Sequence, residues 1–191
     1  MDALKVMLER RSIRKYRPVI VPDELLEEIV QAGLYAPSGM NMQPWHFVVV
    51  RTPERMLQIR AVMAVVAMRF NPLLQQRFAE HPEVITETNN FLLTLGGAPA
   101  CVLAFAHKKD DSDRDNVMES TSAAIQNMQL AAWNRGVGSC WIGAPKYVDC
   151  GALFEAAFGA GHGEFIALLT LGYPAEDPKA HKRKGGRYTM I

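Results

Sequence analysis

The sequence predicts one α+β domain, residues 1–191, built as a three-layer α/β/α sandwich with helices on both faces of a central sheet. Three observations carry that expectation. The short apolar runs WHFVVVR (45–51), ACVLAFAH (100–107) and EFIALLTLGY (164–173) read as strands buried on both faces. Between them lie longer stretches whose apolar residues recur at helical spacing. The chain has 191 residues, 49% of them hydrophobic, enough for one full core without staples.

The elements follow in order. Residues 2–10 form a short helix with Leu4, Met7 and Leu8 on one side. A second helix starts near Pro22, where Asp23 and Glu24 suit the positive end of its dipole. Leu25, Leu26, Ile29, Val30 and Leu34 give it an apolar face, and Pro37 ends it. Thr52-Pro53-Glu54 opens a helix running to about Phe70, and 73–95 reads as helical or mixed. Residues 108–115 are charged and read as a loop. From Asn116 to Arg135 an amphipathic helix gathers Val117, Thr121, Ile125, Met128 and Ala132 on one face, with Gly136 at its left-handed terminus. GSCWIG, 138–143, is a short extended segment, and a helix near 148–158 follows. The tail from Pro174 is polar and basic and wraps over the fold. There is no internal repeat, and no GxGxxG follows the first strand, so a Rossmann dinucleotide site is not supported.

Composition excludes several classes. Lys plus Arg number 21 and Asp plus Glu 20, a formal net charge of +1, so the surface as a whole is not built for nucleic acid and any anion site is local. The three cysteines, Cys101, Cys140 and Cys150, form no CxxC pair and no disulfide framework. His46, His81, His107 and His162 show no metal-ligand spacing, and Asp110, Asp111 and Asp113 read as part of a loop. The N-terminus lacks the apolar stretch of a secretory signal. The longest apolar run, Ala61 to Met68, is far short of the roughly 20 residues a bilayer needs. A soluble, cytoplasmic protein with no metal is expected.

Three segments stand out chemically. In Arg10-Arg11-Ser12-Ile13-Arg14-Lys15-Tyr16-Arg17, five of eight residues are cationic. Arginine forks match phosphate oxygens, and Ser12 adds a donor, so Arg10, Ser12 and Arg14 can converge on one anion. The same run also reads as a solvated basic turn. In Ala36-Pro37-Ser38-Gly39-Met40-Asn41-Met42-Gln43-Pro44-Trp45, the side chains of Ser38, Asn41 and Gln43 mix donors and acceptors, as a heterocycle edge requires. It also reads as a helix-to-strand connection. Gly136-Val137-Gly138-Ser139-Cys140-Trp141-Ile142-Gly143 is small enough to let backbone approach a flat ligand and present a free N–H. It also reads as a helix end and a core strand. Cys140 has no partner histidine and reads as a packed residue. His181-Lys182-Arg183-Lys184, with Arg187 beyond, is either a solvated tail or a return to the anion.

Together ERRSIRKY, APSGMNMQPWHFVVV, QNMQLAAWNRGVGSCWIGAP and LGYPAEDPKAHKRK, in that order, resemble the nitroreductase family of FMN-dependent oxidoreductases over nearly the whole chain. The resemblance implies that Arg10, Ser12 and Arg14 bind the FMN phosphate, ribityl chain and N1/O2 edge, with Arg11 sharing the phosphate. Pro37, Ser38, Gly39, Asn41 and Gln43 would line the ring from a partner subunit. Trp141, Ile142 and Gly143 would cover the isoalloxazine with a backbone N–H near N5. Arg183, helped by Lys182 or Lys184, would return to the phosphate. It further implies a mixed sheet, a homodimer with flavins at the interface and exchanged C-terminal segments, and hydride passing from NADH or NADPH through FMN to a small oxidised acceptor. The lid charges of the related iodotyrosine deiodinases are not evident between 63 and 99. The alternatives are a flavoenzyme of the same fold with another substrate, a flavin-storage protein, and a nucleic-acid binder using Arg10–Arg17.

Overall fold

The computed structural model describes residues 2–107 and 114–191. The loop expected at 108–115, with Asp110, Asp111 and Asp113, falls almost wholly outside them.

Four strands form one sheet: β1 (Trp45–Val50), β2 (Ala100–Ala106), β3 (Gly138–Ile142) and β4 (Glu164–Gly172), in the order β1-β2-β4-β3. Their three ladders are antiparallel, and among the described residues parallel pairing enters only through an isolated bridge between Ser12 and Ser139. β2 and β4 are central and buried almost throughout, which explains their unbroken apolar sequence. β1 and β3 are the edges.

The helices α1 (Ala3–Glu9), α2 (Asp23–Leu34), α3 (Pro53–Arg77), α4 (Pro82–Thr94), α5 (Arg114–Asn134), α6 (Ala144–Tyr147) and α7 (Gly151–Phe158) surround it. One face of the sheet carries Cys101, Leu103, Phe105 and Leu168 against Met63 of α3, Phe91 of α4 and Phe154 of α7. The other carries Val102, Ala104 and Leu169 against Ile29 of α2 and Ile125 and Met128 of α5. The three-layer sandwich expected from the sequence is therefore the observed architecture. All five residues of the predicted α5 stripe, Val117, Thr121, Ile125, Met128 and Ala132, are buried, and Gly136 takes φ +74°.

Two expectations change. The third helix does not stop at Phe70 but continues through Pro72 to Arg77. A proline removes one helical hydrogen bond, but Val66, Ala67 and Leu74 on either side of it stay buried, and Asn89 Nδ2 donates to Asn71 Oδ1 at 2.8 Å. By length and composition α3 is long and apolar enough to cross a membrane, yet Met56, Ile59 and Met63 also face the protein core. The helix expected near 148–158 starts later, at Gly151; a separate short helix, Ala144–Tyr147, precedes it, and Asp149 between them has φ +51°. The apolar side of α1 faces outward: Leu4 is 61% and Leu8 66% exposed, while only Val6 is buried.

Residues 12–17 run extended between β3 and the chain leaving β4. Ile13 N–H donates to Ser139 O, Tyr16 N–H to Gly96 O, Arg17 N–H to Tyr173 O and Ala175 N–H to Lys15 O, each at 2.9 Å. At Gly96 φ is +62°, and a Cβ would overlap the Arg14 carbonyl. Backbone cannot yield as a flexible side chain can. Gly96→Ala is expected to cost about 2 kcal/mol or more, measured as a lowered urea midpoint with unchanged slope.

Candidate functional site

The extended run after α1 brings the first and third segments of interest together. Arg10 ends α1, its N–H donating to Val6 O at 2.9 Å. Beyond it Ile13 is buried, and Ser12 pairs with Ser139 of β3. The contact is close because Gly138 has no side chain: a Cβ there would stand 2.7 Å from Ile13 Cγ1.

Arg10 is half-buried, and its Nη1 is buried without a hydrogen-bond partner. Burial, the largest influence, lowers its pKa, and the like charges of Arg11 and Arg183 lower it further. A partly desolvated guanidinium among other cations is costly unless an anion joins it. The donor set therefore fits a phosphate. Arg183 of the tail lies within electrostatic reach of Arg10. Arg11 is committed differently: its Nη1 donates at 2.8 Å to the carbonyls of both Leu8 and Arg10, closing the end of α1. Lys184 is exposed.

Arg14 is exposed at the mouth of a groove of about 690 Å³, lined also by Lys15, Glu87, Thr88, Glu176 and His181. The backbone N–H groups of Arg14 and Lys15 both donate to Glu176 Oε1, the latter at 3.2 Å. Cys140 lies buried behind this cluster. Burial raises its thiol pKa, the nearby charges of Arg14 and Arg10 opposing the shift, which suits a packed residue rather than a nucleophile.

On β3, Ser139 directs its carbonyl to the outer edge, where Ile13 meets it. By the alternation of a strand, Trp141 directs its N–H and C=O to the same edge. Ile142 is buried, whereas a Cβ on Gly143 would find nothing within 4 Å. The end of β3 is thus an open apolar ledge beside a cationic pocket, with the Trp141 N–H on its outer edge and the Trp141 carbonyl 3.8 Å from Cys140 Sγ.

The second segment lies elsewhere. Ser38 precedes a 3-10 turn, Gly39–Asn41, and Met40, Asn41 and Gln43 all have positive φ, between 44° and 55°. Such residues are held by their surroundings at a cost of about 1–3 kcal/mol each. Gln43 N–H donates to Ser38 Oγ at 3.0 Å, Gln43 Nε2 to Asn41 Oδ1 at 2.9 Å, and Gly39 N–H to Ser120 Oγ of α5 at 3.3 Å. A Cβ on Gly39 would overlap Asn116. The polar groups expected to meet a heterocycle are therefore partly spent on one another. Asn41 Nδ2 and Gln43 Oε1 remain, one donor and one acceptor on exposed residues; Pro37 is exposed as well. This loop leads into β1, whereas the cationic cluster borders β3. The two sit on opposite edges of the sheet, three strand spacings or roughly 14 Å apart.

The structure also gathers histidines that look scattered in the sequence. His46 and His162 stack with ring centroids 3.5 Å apart. Burial, then the charges of His162 and His107, lowers the His46 pKa. Among the described residues no group of His, Cys, Asp or Glu could hold a metal.

A family model described as Nitroreductase family matches residues 7–173. YfhC of Bacillus subtilis (strain 168), provisionally named as an NAD(P)H nitroreductase, is 29% identical over 180 residues, covering 93% of this chain and 87% of that one. Two solved structures are similar over almost their whole lengths. A nitroreductase with bound FMN from Bacteroides fragilis NCTC 9343 superposes with a TM-score of 0.75 at 26% identity, covering 100% of this chain and 99% of that one. A BluB-like flavoprotein from Clostridium difficile 630 superposes with a TM-score of 0.77 at 27% identity, with the same coverage.

The Arg10 environment makes a direct prediction. Inorganic phosphate is expected to raise the melting temperature of the wild-type protein and leave that of Arg10→Met unchanged. In phosphate-free buffer Arg10→Met is expected to melt at the wild-type temperature or above it, because the variant no longer desolvates an unpaired charge. Differential scanning fluorimetry reads both.

Proposed function

Because this chain belongs to the nitroreductase family, we propose that it binds FMN and works as an NAD(P)H-dependent oxidoreductase on small oxidised acceptors such as nitroaromatics or quinones. The observation that carries the reading is the Arg10 guanidinium, unpaired at Nη1 between the charges of Arg11 and Arg183, beside the free edge of β3. A flavin phosphate supplies the anion that this pocket fits, and the flat ring suits the ledge formed by Trp141, Ile142 and Gly143.

In this reading each residue has a stated task. Arg10, Ser12 and Arg183 hold the phosphate, with Lys184 at the rim, and Arg11 keeps the helix end in place. Arg14 carries positive charge toward the pyrimidine edge, where two-electron reduction increases negative charge. The chemistry supplied by a bound flavin is hydride exchange: accepted from NADH or NADPH in one half-reaction, donated to the acceptor in the next. No side-chain acid or base is required.

The loop Pro37, Ser38, Gly39, Asn41 and Gln43 reaches this site from a second copy of the chain. Its distance from the cluster within one chain supports that arrangement. So does exposed apolar surface at both halves of the site: Leu4, Met7 and Leu8 beside the cluster, Tyr35 and Met40 beside the loop. A homodimer with two composite sites follows. The similarity to the BluB-like flavoprotein favours one second reading, a flavoenzyme of this fold with a different substrate.

The purified protein is expected to be yellow, to release FMN intact in acid, and to oxidise NADH or NADPH with nitroaromatic or quinone acceptors, giving parallel double-reciprocal plots. Arg10→Ala with Arg14→Ala should weaken FMN binding about 100-fold. Protein that neither carries nor takes up FMN overturns the reading; rapid flavin reduction without turnover of any acceptor favours the second one. Leu8→Glu is expected to shift the sedimenting species toward monomer and to lower FMN affinity with it. A monomeric variant that binds FMN like wild type would overturn the composite site.

A further inference from the structure

The pairing between residues 11–13 and β3 stops after one rung, and the reason lies in two side chains. Ile13 N–H donates to Ser139 O, and Ser12 bridges Ser139 in parallel sense. In a parallel ladder the next rung would join Trp141 N–H to the Ile13 carbonyl and Lys15 N–H to the Trp141 carbonyl. Both partners are already taken. Tyr16 OH donates to Ile13 O at 2.6 Å, and Lys15 N–H donates to Glu176 Oε1.

Tyr16 is itself tightly held. It is buried, its ring lies against Gly172, and its oxygen is 2.8 Å from Thr170 Oγ1, which is 3.3 Å from Cys140 O. These three contacts share two hydroxyl protons, so one contact lacks a hydrogen. The two shorter ones set the order: Thr170 donates to Tyr16, and Tyr16 donates to Ile13. Burial, the main influence on the phenol, raises its pKa and keeps the proton in place.

We infer that Tyr16 is a positioning residue of the flavin site. By engaging the Ile13 carbonyl, its hydroxyl ends the ladder after the Ser12 rung, keeps Arg14 from pairing with β3, and leaves the Trp141 N–H free at the rim of the pocket. This rests on the FMN reading above.

The test compares full-length wild type, Tyr16→Phe and Thr170→Val. Tyr16→Phe removes only the hydroxyl and is expected to bind FMN about tenfold more weakly. In the same variant, without flavin, exchange of the Trp141 amide hydrogen is expected to slow about tenfold, because the released carbonyl forms the missing rung. A merely structural loss would speed exchange there. Thr170→Val preserves the Tyr16–Ile13 bond and is expected to stay within about threefold of wild type in FMN affinity. Equal FMN affinity in wild type and Tyr16→Phe overturns this proposal alone. So does a Trp141 amide already as protected as that of Cys140 in flavin-free wild type, a measurement that stands whether or not Tyr16→Phe folds. Wild type that binds no FMN overturns the flavin reading and this proposal with it.

Discussion

The seam where residues 12–17 lie between β3 and the chain leaving β4 is the constraint on which the rest of the site depends. Four main-chain hydrogen bonds stitch it, to Ser139, Gly96, Tyr173 and Ala175. Each contributes about 1 kcal/mol net, since water satisfies the same groups in the unfolded chain. Burial of Ile13 and Tyr16, roughly 1.5–3 kcal/mol for a large side chain, contributes more per residue. The apolar pair therefore anchors the seam and the hydrogen bonds fix its register. Glycine on both flanks makes the approach possible: a Cβ on Gly172 would stand 2.8 Å from the Tyr16 ring, as one on Gly138 would crowd Ile13. With Ile13 and Tyr16 turned inward, Arg10 and Arg14 are left to carry charge along one rim.

The loop proposed as the other half of the site is held by a different device. Residues 38–43 adopt left-handed backbone at three non-glycine positions, and side-chain hydrogen bonds within the loop and to Ser120 compensate. Strain of this sort persists only where the surroundings over-determine the geometry. One rim is thus set by packing and the other by a polar network, and the sheet separates them. Both devices keep polar groups poised in one conformation without a ligand, which lowers the ordering cost when a ligand binds.

Much of this was legible in the sequence because local rules and the fold agree. The strands are unbroken apolar runs because β2 and β4 are covered on both faces. The α5 stripe appears at helical spacing because that helix packs against one layer, and Gly136 marks its end because its φ demands glycine. The failures have a common origin in tertiary contacts. Pro72 reads locally as a break, but packing on both sides carries α3 through it. Leu4, Met7 and Leu8 share one side of α1 as their spacing indicates, but spacing cannot show that within one chain this side faces outward. The cationic run draws attention to Arg10, but spacing cannot show that Arg11 turns back to Leu8 and Arg10. Nor can it show that Tyr16, the one aromatic among those cations, ends a ladder. Its partner Thr170 lies more than a hundred residues away. Glu176 gave no signal beyond a charge in a polar tail.

A site divided between two edges of a sheet has a thermodynamic consequence. If the loop of one copy completes the pocket of another, cofactor and partner each bind better when the other is present, by the same factor. In that proposed assembly the apolar surface beside each half would favour association, and the unpaired Arg10 would leave it incomplete without an anion. Ligand bound only to the assembled form would stabilise it by mass action, so flavin supply would set both the loaded fraction and the dimeric fraction. Desolvation of Arg10 would link them: further burial at the interface would raise the cost of its charge, and phosphate would offset that cost in the same place. Assembly without cofactor would then be disfavoured by the same residue that strengthens cofactor binding. On this proposal the cationic seam acts on assembly as well as on binding, and both effects trace to how residues 10–17 are laid against β3.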